Sequence, residues 1–338
     1  MKAFPVLLVA LAGCGARQLP ITAYPLPRAY VEAHHLSRFG PGWMLSEART
    51  DDLVYVSNQN ELSAQTEIDM YSFPAGKLVG EITTDSEEYA EGLCSDSSGN
   101  VWVLGWTSNG QSFFDEFAHG GTQPSKGIIA EGVPNGCAVD SSNGNLAVAN
   151  FDDFDITGDR GDLAIYQNGE GKPVNYYGNT IKHYYYCTFD AAGNLFATGD
   201  NRALNELAEG SSTIRNVYLN RNITPGSVQW DGKDLAIVAL RSGQGPTMVD
   251  RAAVSGSSAQ VVGTSRLRVP DGKGTYLTVE FAIASGDIIG PGAAAGGPQR
   301  AIYFWKYPAG GKDTKAVASA SANFYGVAFS AAPKTGSR

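Results

Sequence analysis

Acidic side chains crowd one short segment, FDDFDITGDRG, which runs from residue 151 to residue 161. Asp153, Asp155 and Asp159 repeat the alternating oxygen ligands around a glycine bend that open a calcium-binding loop. The closing half of that pattern is missing, because a bidentate glutamate would be needed where the chain has Ala164. We expect a solvated acidic loop and no cofactor, with weak calcium binding by the three aspartates as the alternative.

Motifs that would supply a nucleophile or bind a phosphate are missing from the sequence. It contains no G-x-S-x-G turn, no H-E-x-x-H pair, no P-loop and no C-x-x-C. His119 and His183 stand alone, and an isolated histidine is more often a surface or packing residue than a general base. The motif search therefore predicts a protein that is not an enzyme.

One cysteine near the start has a chemical role of its own. The letters LAGC at residues 11–14 follow the positive Lys2 and an apolar core that is too short to span a bilayer. This arrangement resembles a bacterial lipobox, which implies a diacylglyceryl group on the Cys14 thiol and cleavage just before it. Two or three acyl chains hold a protein firmly on a membrane. We expect residues 1–13 to be a signal peptide, residues 14–43 a tether, and the protein to be lipid-anchored in a bacterial cell envelope.

The other cysteines are Cys94, Cys137 and Cys187, and each lies in a short apolar run. A thiol in such a run behaves as a small hydrophobic group, so we expect three buried free thiols. A single disulfide bridge is the alternative, provided that two of the Cα atoms lie within roughly 7 Å of each other. Spacing along the chain does not decide between the two.

The composition favours a globular all-β chain. Of the 338 residues 43% are hydrophobic and 17% are charged, while 41 glycines and 16 tyrosines accompany period-2 patterns with turn residues. The formal net charge is −9 and no lysine or arginine cluster occurs, so nucleic acid is not an expected partner.

These residues are organised by a repeated stretch, of which the clearest copy is PNGCAVDSSNGNLAVANF at residues 134–151. Two apolar runs flank turn-forming residues that begin with an aspartate, which predicts a β-hairpin. Copies recur about every 47 residues, the length of a four-stranded propeller blade. The residues aligned at the start of the turn are Asp96, Asp140, Asp190, Asp231 and, in two degraded copies, Ile283 and Ser330.

A second hairpin-like segment accompanies each of six blades, but the two ends of the chain are incomplete. Residues 53–56 look like a second strand without a first, and residues 325–329 look like a first strand without a second. Pairing them would close the ring and leave no long unpaired edge. The sequence therefore predicts an all-β, six-bladed β-propeller over residues 44–332, closed by pairing of the N- and C-terminal strands and followed by a tail at residues 333–338.

The clearest copy resembles the repeats of NHL-type and SMP-30-like six-bladed propellers, through Pro134, Gly136, Asp140, the run at residues 144–146, and Asn150. The SMP-30-like enzymes hold a divalent metal above the central channel, and the resemblance implies Glu91 and Asn135 as ligands here. Later copies have Tyr185, Gly226 and Tyr325 at the equivalent places, where a hard cation would need more oxygen ligands. A metal-dependent lactonase or related hydrolase is therefore the alternative function.

The favoured function is non-enzymatic binding at a mixed polar and aromatic rim. Its predicted residues are Glu91, Trp106, Asn135, Tyr185 and Tyr325. Aromatic faces with a few polar groups suit a sugar, a peptide or a protein segment. The alternative for the tyrosines is packing between neighbouring blades.

Overall fold

The longer elements in the described part of the chain are all β-strands. The computed structural model describes residues 42–60, 66–83, 88–107, 111–130, 132–152, 160–240, 247–269, 280–292, 300–318 and 322–333. Short 3-10 helices in these ranges cover Ser46–Thr50, Gln167–Gly169 and Asp200–Arg202, and none has the length and hydropathy of a membrane-spanning segment. The expectation of an all-β chain is confirmed.

The first half of the chain forms β1 (Trp43–Met44), β2 (Leu53–Asn60), β3 (Thr66–Ser72), β4 (Leu78–Thr83), β5 (Glu88–Ser95), β6 (Val101–Thr107), β7 (Ser112–Phe117), β8 (Pro124–Ala130), β9 (Val133–Val139), β10 (Leu146–Asp152), β11 (Leu163–Tyr166) and β12 (Val174–Tyr176). The second half forms β13 (Tyr184–Phe189), β14 (Leu195–Gly199), β15 (Leu204–Leu207), β16 (Ile214–Leu219), β17 (Thr224–Trp230), β18 (Leu235–Leu240), β19 (Thr247–Ser255), β20 (Ser258–Arg268), β21 (Ala282–Ala284), β22 (Asp287–Gly292), β23 (Ala301–Lys306), β24 (Gly311–Lys312), β25 (Lys315–Ala318) and β26 (Ala322–Ser330).

The repeated aspartates form the predicted turns. In each of four hairpins the carboxylate accepts the backbone N–H of the residue two positions further on, at 2.8 to 2.9 Å. Such an Asx turn substitutes a side-chain acceptor for a backbone one and reverses the chain in a few residues. The four residues are Asp96, Asp140, Asp190 and Asp231.

The strands assemble into five sheets. The first sheet has the order β1-β4-β3-β2-β26, the second runs β5-β6-β7-β8, the third runs β12-β11-β10-β9, and the last runs β21-β22-β23-β25. A nine-stranded sheet contains β13 to β16 followed by β20, β19, β18 and β17, with β24 beside β20. Among the described strands, its two antiparallel runs of four are joined by one strand pairing, a short parallel pairing of β16 with β20, at Tyr218 with Ser258 and Leu219 with Ala259.

The N- and C-terminal strands pair as the sequence predicts. β2 and β26 are antiparallel, and Leu53 lies opposite Ser330 while Val56 lies opposite Val327. The innermost strands also contact one another in sequence, β26 with β5, β5 with β9, β9 with β13, and β13 with β17, while β21 contacts β26. Sheets whose innermost strands contact one another in sequence around a common axis form a propeller-like ring.

Apolar side chains fill the spaces between neighbouring antiparallel runs. Each of six buried clusters draws residues from two consecutive runs, and one cluster joins the last sheet to the first. Representative pairs within the clusters are Tyr55 and Phe113, Trp102 and Leu146, Leu163 and Leu195, Phe196 and Leu235, Val249 and Trp305, and Val54 and Phe304. The hydrophobic core is therefore distributed around the ring.

The expectation of three free thiols is wrong for two of them. Cys94 in β5 and Cys137 in β9 form a disulfide between the innermost strands of the second and third sheets, with their Cα atoms 5.6 Å apart. Cys187 in β13 is a buried free thiol, as expected. The bridge forms because the ring brings two consecutive inner strands side by side, and a spacing of 43 residues along the chain did not reveal that.

Candidate functional site

Five innermost strands carry a β-bulge at equivalent places. A bulge leaves one or two residues out of the ladder pairing and re-aims their side chains. The bulged residues are Glu91 and Gly92 in β5, Asn135 in β9, Tyr185 in β13, Gly226 and Ser227 in β17, and Tyr325 and Gly326 in β26. The repeat alignment had pointed to Glu91, Asn135, Tyr185 and Tyr325, and all four lie at these bulges.

Glycines next to the bulges let neighbouring inner strands approach closely. A Cβ atom on Gly92 would lie 2.6 Å from the carbonyl oxygen of Asn135, and one on Gly136 would lie 2.8 Å from the carbonyl oxygen of Tyr185. A Cβ on Gly326 would overlap the carbonyl oxygen of Glu91. The four predicted residues are thus brought together on successive strands of the ring.

Hydrogen bonds connect the same bulges. The backbone N–H of Gly326 donates to Ser57 Oγ at 2.7 Å, and Ser57 Oγ donates to the carbonyl oxygen of Glu91 at 3.0 Å. The side-chain amide of Asn135 donates to the carbonyl oxygen of Tyr185 at 2.9 Å. These contacts give the rim a fixed geometry before any ligand binds, which lowers the entropy cost of binding.

Glu280 is a site residue that the sequence analysis missed. It is 5% exposed, and its Oε2 accepts the backbone N–H of Leu93 at 2.9 Å. Burial, together with the negative charge of Glu91, raises the pKa of Glu280 to about 8, although the backbone N–H groups of Leu93 and Val327 oppose the rise. Desolvation raises the pKa of Glu91 to about 7. Burial and both carboxylates also raise the pKa of the Tyr186 hydroxyl, so these three groups form one electrostatically coupled cluster near the axis.

The reason for missing Glu280 is an error of two residues in the most degraded repeat. The alignment put Ile283 at the start of the turn, but β21 continues to Ala284 and the turn contains Ser285 and Gly286. Shifting the copy by two residues aligns Glu280 with Asn135. This copy has no aspartate at the start of its turn, so the alignment could not be fixed there. The acidic residue five positions before Ser285 is the signal that could have located the site residue.

Aromatic rings extend the rim outward as two stacks. Tyr185 stacks on Phe151 with ring centroids 5.9 Å apart, and Phe151 stacks on His183 at 4.5 Å. Trp106 lies on the second strand of its sheet and stacks on Tyr89 at 5.8 Å. Trp106 is therefore one strand out from the bulges. These rings are half-buried, so part of each face remains accessible.

The hydroxyl of Tyr325 is held by amide side chains. It donates to Gln59 Oε1 at 3.2 Å and accepts from Asn323 Nδ2 at 2.7 Å. This arrangement presents a polar group at the β26 bulge, where the closing strand meets β2. The predicted rim thus combines carboxylates, amides and aromatic faces.

Two cavities have different character. An inner cavity of about 180 Å³ is lined by the innermost strands, including Leu93, Cys137, Cys187 and Val327. A groove of about 520 Å³ runs beside β16 and was not predicted from the sequence. The groove is lined by polar and aromatic groups that include Asn201, Arg202, Asn216, Tyr218, Asn220 and Arg221.

The described channel residues do not fit a resident calcium or similar hard cation. They offer the carboxylates of Glu91 and Glu280 and the amide of Asn135, whereas such a cation usually takes six or more oxygens. Glu280 already accepts backbone N–H groups, and Asn135 turns its amide nitrogen to a backbone carbonyl. Cys14 and the acidic residues Asp153, Asp155 and Asp159 lie outside the described residues.

Known proteins are similar to this chain in fold alone. No protein-family model matches the sequence, and no curated protein matches it either. A chain from the crystal structure of a nidogen/laminin complex superposes with a TM-score of 0.57 and 10% identity, over 83% of this chain and 99% of that chain. A protein of unknown function from Bacteroides caccae has a TM-score of 0.58 at 10% identity, with the same shares of the two chains.

A third similar structure is TolB from Acinetobacter baumannii, with a TM-score of 0.55 and 8% identity, over 83% of this chain and 67% of that chain. At sequence identities this low, the structural similarity is evidence for the fold and not for the activity. Together with the strand order, these similarities establish that the chain is an all-β propeller. They do not assign it to a family, so the resemblance to NHL-type and SMP-30-like repeats remains a hypothesis.

Proposed function

We propose that this protein is a non-enzymatic binding propeller of the bacterial cell envelope, with its ligand site at the rim formed by the inner-strand bulges. The observation that carries the proposal is the rim itself, where Glu91, Asn135, Tyr185 and Tyr325 are fixed side by side. Preorganised polar groups beside half-buried aromatic faces suit a sugar, a peptide or a segment of another protein.

We infer that the ring has six blades. The nine-stranded sheet divides into two blades, because the short parallel pairing of β16 with β20 is the one strand pairing between its described halves. Six apolar clusters, each between consecutive antiparallel runs, support the same count. An experimental structure with another number of radial four-stranded units would contradict it.

The family resemblance belongs to this proposal. The Asx turns at Asp96, Asp140, Asp190 and Asp231 support a common NHL-type or SMP-30-like repeat, since each copy uses the same residue for the same turn. The nidogen/laminin structure, as its name states, contains a complex of two proteins. A propeller of this shape can therefore serve binding, which supports the class of function without identifying a partner.

Two observations support a location outside the cytoplasm. The residues at positions 11–14 resemble a lipobox, and the Cys94–Cys137 disulfide is typical of an oxidising compartment. We propose that Cys14 carries the lipid that anchors the protein. In a bacterial host, Cys14→Ser is expected to abolish incorporation of labelled palmitate and to move the protein out of the membrane fraction. Unchanged partitioning would point to another anchor.

The rim is tested by screening the full chain against arrays of glycans and peptides. Tyr185→Ala and Trp106→Ala are expected to weaken binding of any ligand found by about tenfold or more, because each removes an aromatic face. Tyr218→Ala is the matched control, since Tyr218 is 67% exposed in the separate groove beside β16. Loss of binding in Tyr218→Ala alone would move the ligand site to that groove.

The alternative is a metal-dependent hydrolase, and one observation favours it: two coupled carboxylates, Glu91 and Glu280, lie near the axis. Elemental analysis of the purified protein and of Glu91→Gln, together with assays on a series of lactones, separates the two functions. A stoichiometric metal lost in the variant, with lactone hydrolysis lost in parallel, would replace the binding proposal.

A further inference from the structure

The groove of about 520 Å³ beside β16 lies away from the inner-strand bulges, because β16 is the outermost strand of its antiparallel run. Its volume falls within the range of small-molecule sites, roughly 300–1,000 Å³. Among the described residues that line it, Arg202 and Arg221 are cationic and none is acidic. On a chain with a formal net charge of −9, a groove whose charged side chains are all cationic favours an anionic ligand.

The two arginines differ in how their charge is compensated. Arg221 Nη1 donates to both carboxylate oxygens of the buried Asp250, at 2.9 and 3.0 Å, so Arg221 is fixed in place and neutralised. Arg202 forms no ion pair in the described ranges, and its Nη1 makes a long contact of 3.4 Å with Asn222 Oδ1. Arg202 is exposed, so its guanidinium can bind a carboxylate through two parallel hydrogen bonds.

Three asparagine side chains on the groove use their oxygen atoms within the protein. Asn216 Oδ1 accepts from Asn205 Nδ2 at 2.9 Å, and Asn220 Oδ1 accepts the backbone N–H of Val261 at 2.9 Å. The third, Asn222, accepts the guanidinium contact. None of the three Nδ2 groups donates to a residue that the structure describes. The groove therefore offers three amide donors to hydroxyl or carboxylate oxygens of a ligand.

Tyr218 adds an aromatic face to these donors. It lines the groove and is 67% exposed. Its backbone N–H donates to the carbonyl oxygen of Ser257 at 2.8 Å, and that of Asn220 donates to the carbonyl oxygen of Ala259 at 3.0 Å. This segment is thus fixed before any ligand binds, which lowers the entropy cost of binding. An aromatic face beside hydrogen-bond donors suits a sugar ring.

We propose that the groove beside β16 binds an acidic sugar unit of a polysaccharide. Its carboxylate pairs with Arg202, its hydroxyl oxygens accept from the three asparagine amides, and its ring packs on Tyr218. An inorganic anion would not use the exposed ring, and a neutral sugar would not use the charge of Arg202. This second site is separate from the rim and does not depend on the function proposed there.

Isothermal calorimetry of the full chain with oligomers of galacturonate, glucuronate and mannuronate tests the chemical class of the ligand. At least one oligomer is expected to bind, and its affinity should fall about tenfold or more when its carboxylates are converted to methyl esters, because the ester keeps the sugar but removes the charge. Equal binding of an oligomer and its methyl ester would overturn the proposal. So would an absence of binding by all three at roughly 10 mM.

Variants of the groove test the place of binding. Arg202→Gln and Tyr218→Ala are expected to weaken binding of the acidic oligomer by about tenfold or more, and both residues are exposed, so the variants should fold. Arg202→Gln should also make the oligomer and its methyl ester bind equally, a change that a structural role alone would not produce. Arg266→Gln is the matched control, since it removes the same charge from an exposed arginine outside the groove.

Two outcomes of these variants would contradict the proposed site. Equal losses in Arg202→Gln and Arg266→Gln would indicate attraction by the surface charge as a whole. Tyr185→Ala removes an aromatic face of the rim and is expected to leave this binding unchanged. If Tyr185→Ala loses the acidic oligomer and Tyr218→Ala keeps it, the sugar binds at the rim, which would overturn the groove site and support the rim.

Discussion

Glu280 and Glu91 illustrate how the ring places charged groups where water is scarce. Glu280 comes from the degraded repeat but accepts a backbone N–H from Leu93, which lies 187 residues away in the sequence. A buried carboxylate persists when such donors stabilise it, although burial still favours its protonated form. The two acids therefore give the protein a titratable centre near its axis.

The pH dependence of stability follows from Glu280. Its pKa in the folded state is about 8, well above the ordinary value of 4.5, so the folded state holds the proton more tightly than the unfolded state. The resulting stabilisation is complete below about pH 4.5 and is lost as the pH rises through 8. We predict that the wild-type Tm falls between pH 5 and pH 8 and that Glu280→Gln reduces this fall, because glutamine stays neutral.

Calorimetric melting at the two pH values measures the effect. Glu209→Gln removes an exposed acid and should leave the pH profile of the wild type unchanged. Equal falls of Tm in Glu280→Gln and the wild type would mean that Glu280 is already ionised in the folded protein at pH 5.

The Cys94–Cys137 disulfide ties β5 to β9, two inner strands that make no ladder hydrogen bonds with each other. Neighbouring sheets in a propeller are otherwise joined mainly by apolar side chains. A bridge closing 43 residues restricts the unfolded chain, an effect of about 4 kcal/mol in the chain-entropy description. It joins the second and third sheets beside the bulges that carry Glu91 and Asn135.

We predict that the double variant Cys94→Ala, Cys137→Ala lowers the Tm by roughly 5–10 °C, because the unfolded chain gains freedom. Differential scanning calorimetry with and without reductant measures it. Reductant should bring the wild type close to the variant and leave the variant unchanged. Cys187→Ala is the control, since that buried thiol has no bridge to lose. If the double variant has the same Tm as the oxidised wild type, the bridge does not contribute to stability.

Closure of the ring depends on β26, which pairs with β2 and so joins the last described strand to the first sheet. The approach of β26 to the neighbouring β5 is so close that only glycine fits at position 326, where a Cβ would overlap the Glu91 carbonyl and lie 3.0 Å from Ser57 Oγ. Gly326 therefore allows β26 to pair with β2 and to pack closely against β5 at the same time.

Gly326→Ala is predicted to lower the free energy of unfolding by about 2–4 kcal/mol, because the inner strands must separate to admit the methyl group. Urea denaturation measures the change, and hydrogen exchange should show faster opening of β2 and β26 than of β10 or β11. Gly256→Asn is the control, at a turn with positive φ and open space that asparagine tolerates. If Gly326→Ala unfolds at the same urea concentrations as the wild type, the inner strands have room for the methyl group and the prediction is wrong.

Part of the candidate site could be read from the repeats because equivalent residues occupy equivalent bulges. Glu91, Asn135, Tyr185 and Tyr325 were found through their constant distance from the turn, which the clear copies preserve. Glu280 was missed because its copy has Ile283 near the turn and no aspartate to set the register. Local patterns thus locate a site residue only where the turn chemistry is retained.

Local sequence patterns were sufficient to predict the all-β class, the Asx turns and the pairing of the two terminal strands, because these depend on period-2 patterns and on residues that form local turns. The Cys94–Cys137 bridge and the contact of Glu280 with Leu93 became visible only in the folded ring. Both contacts join segments that are far apart in the sequence. Distances of this kind are set by how the strands pack around the axis, which no short stretch of sequence encodes.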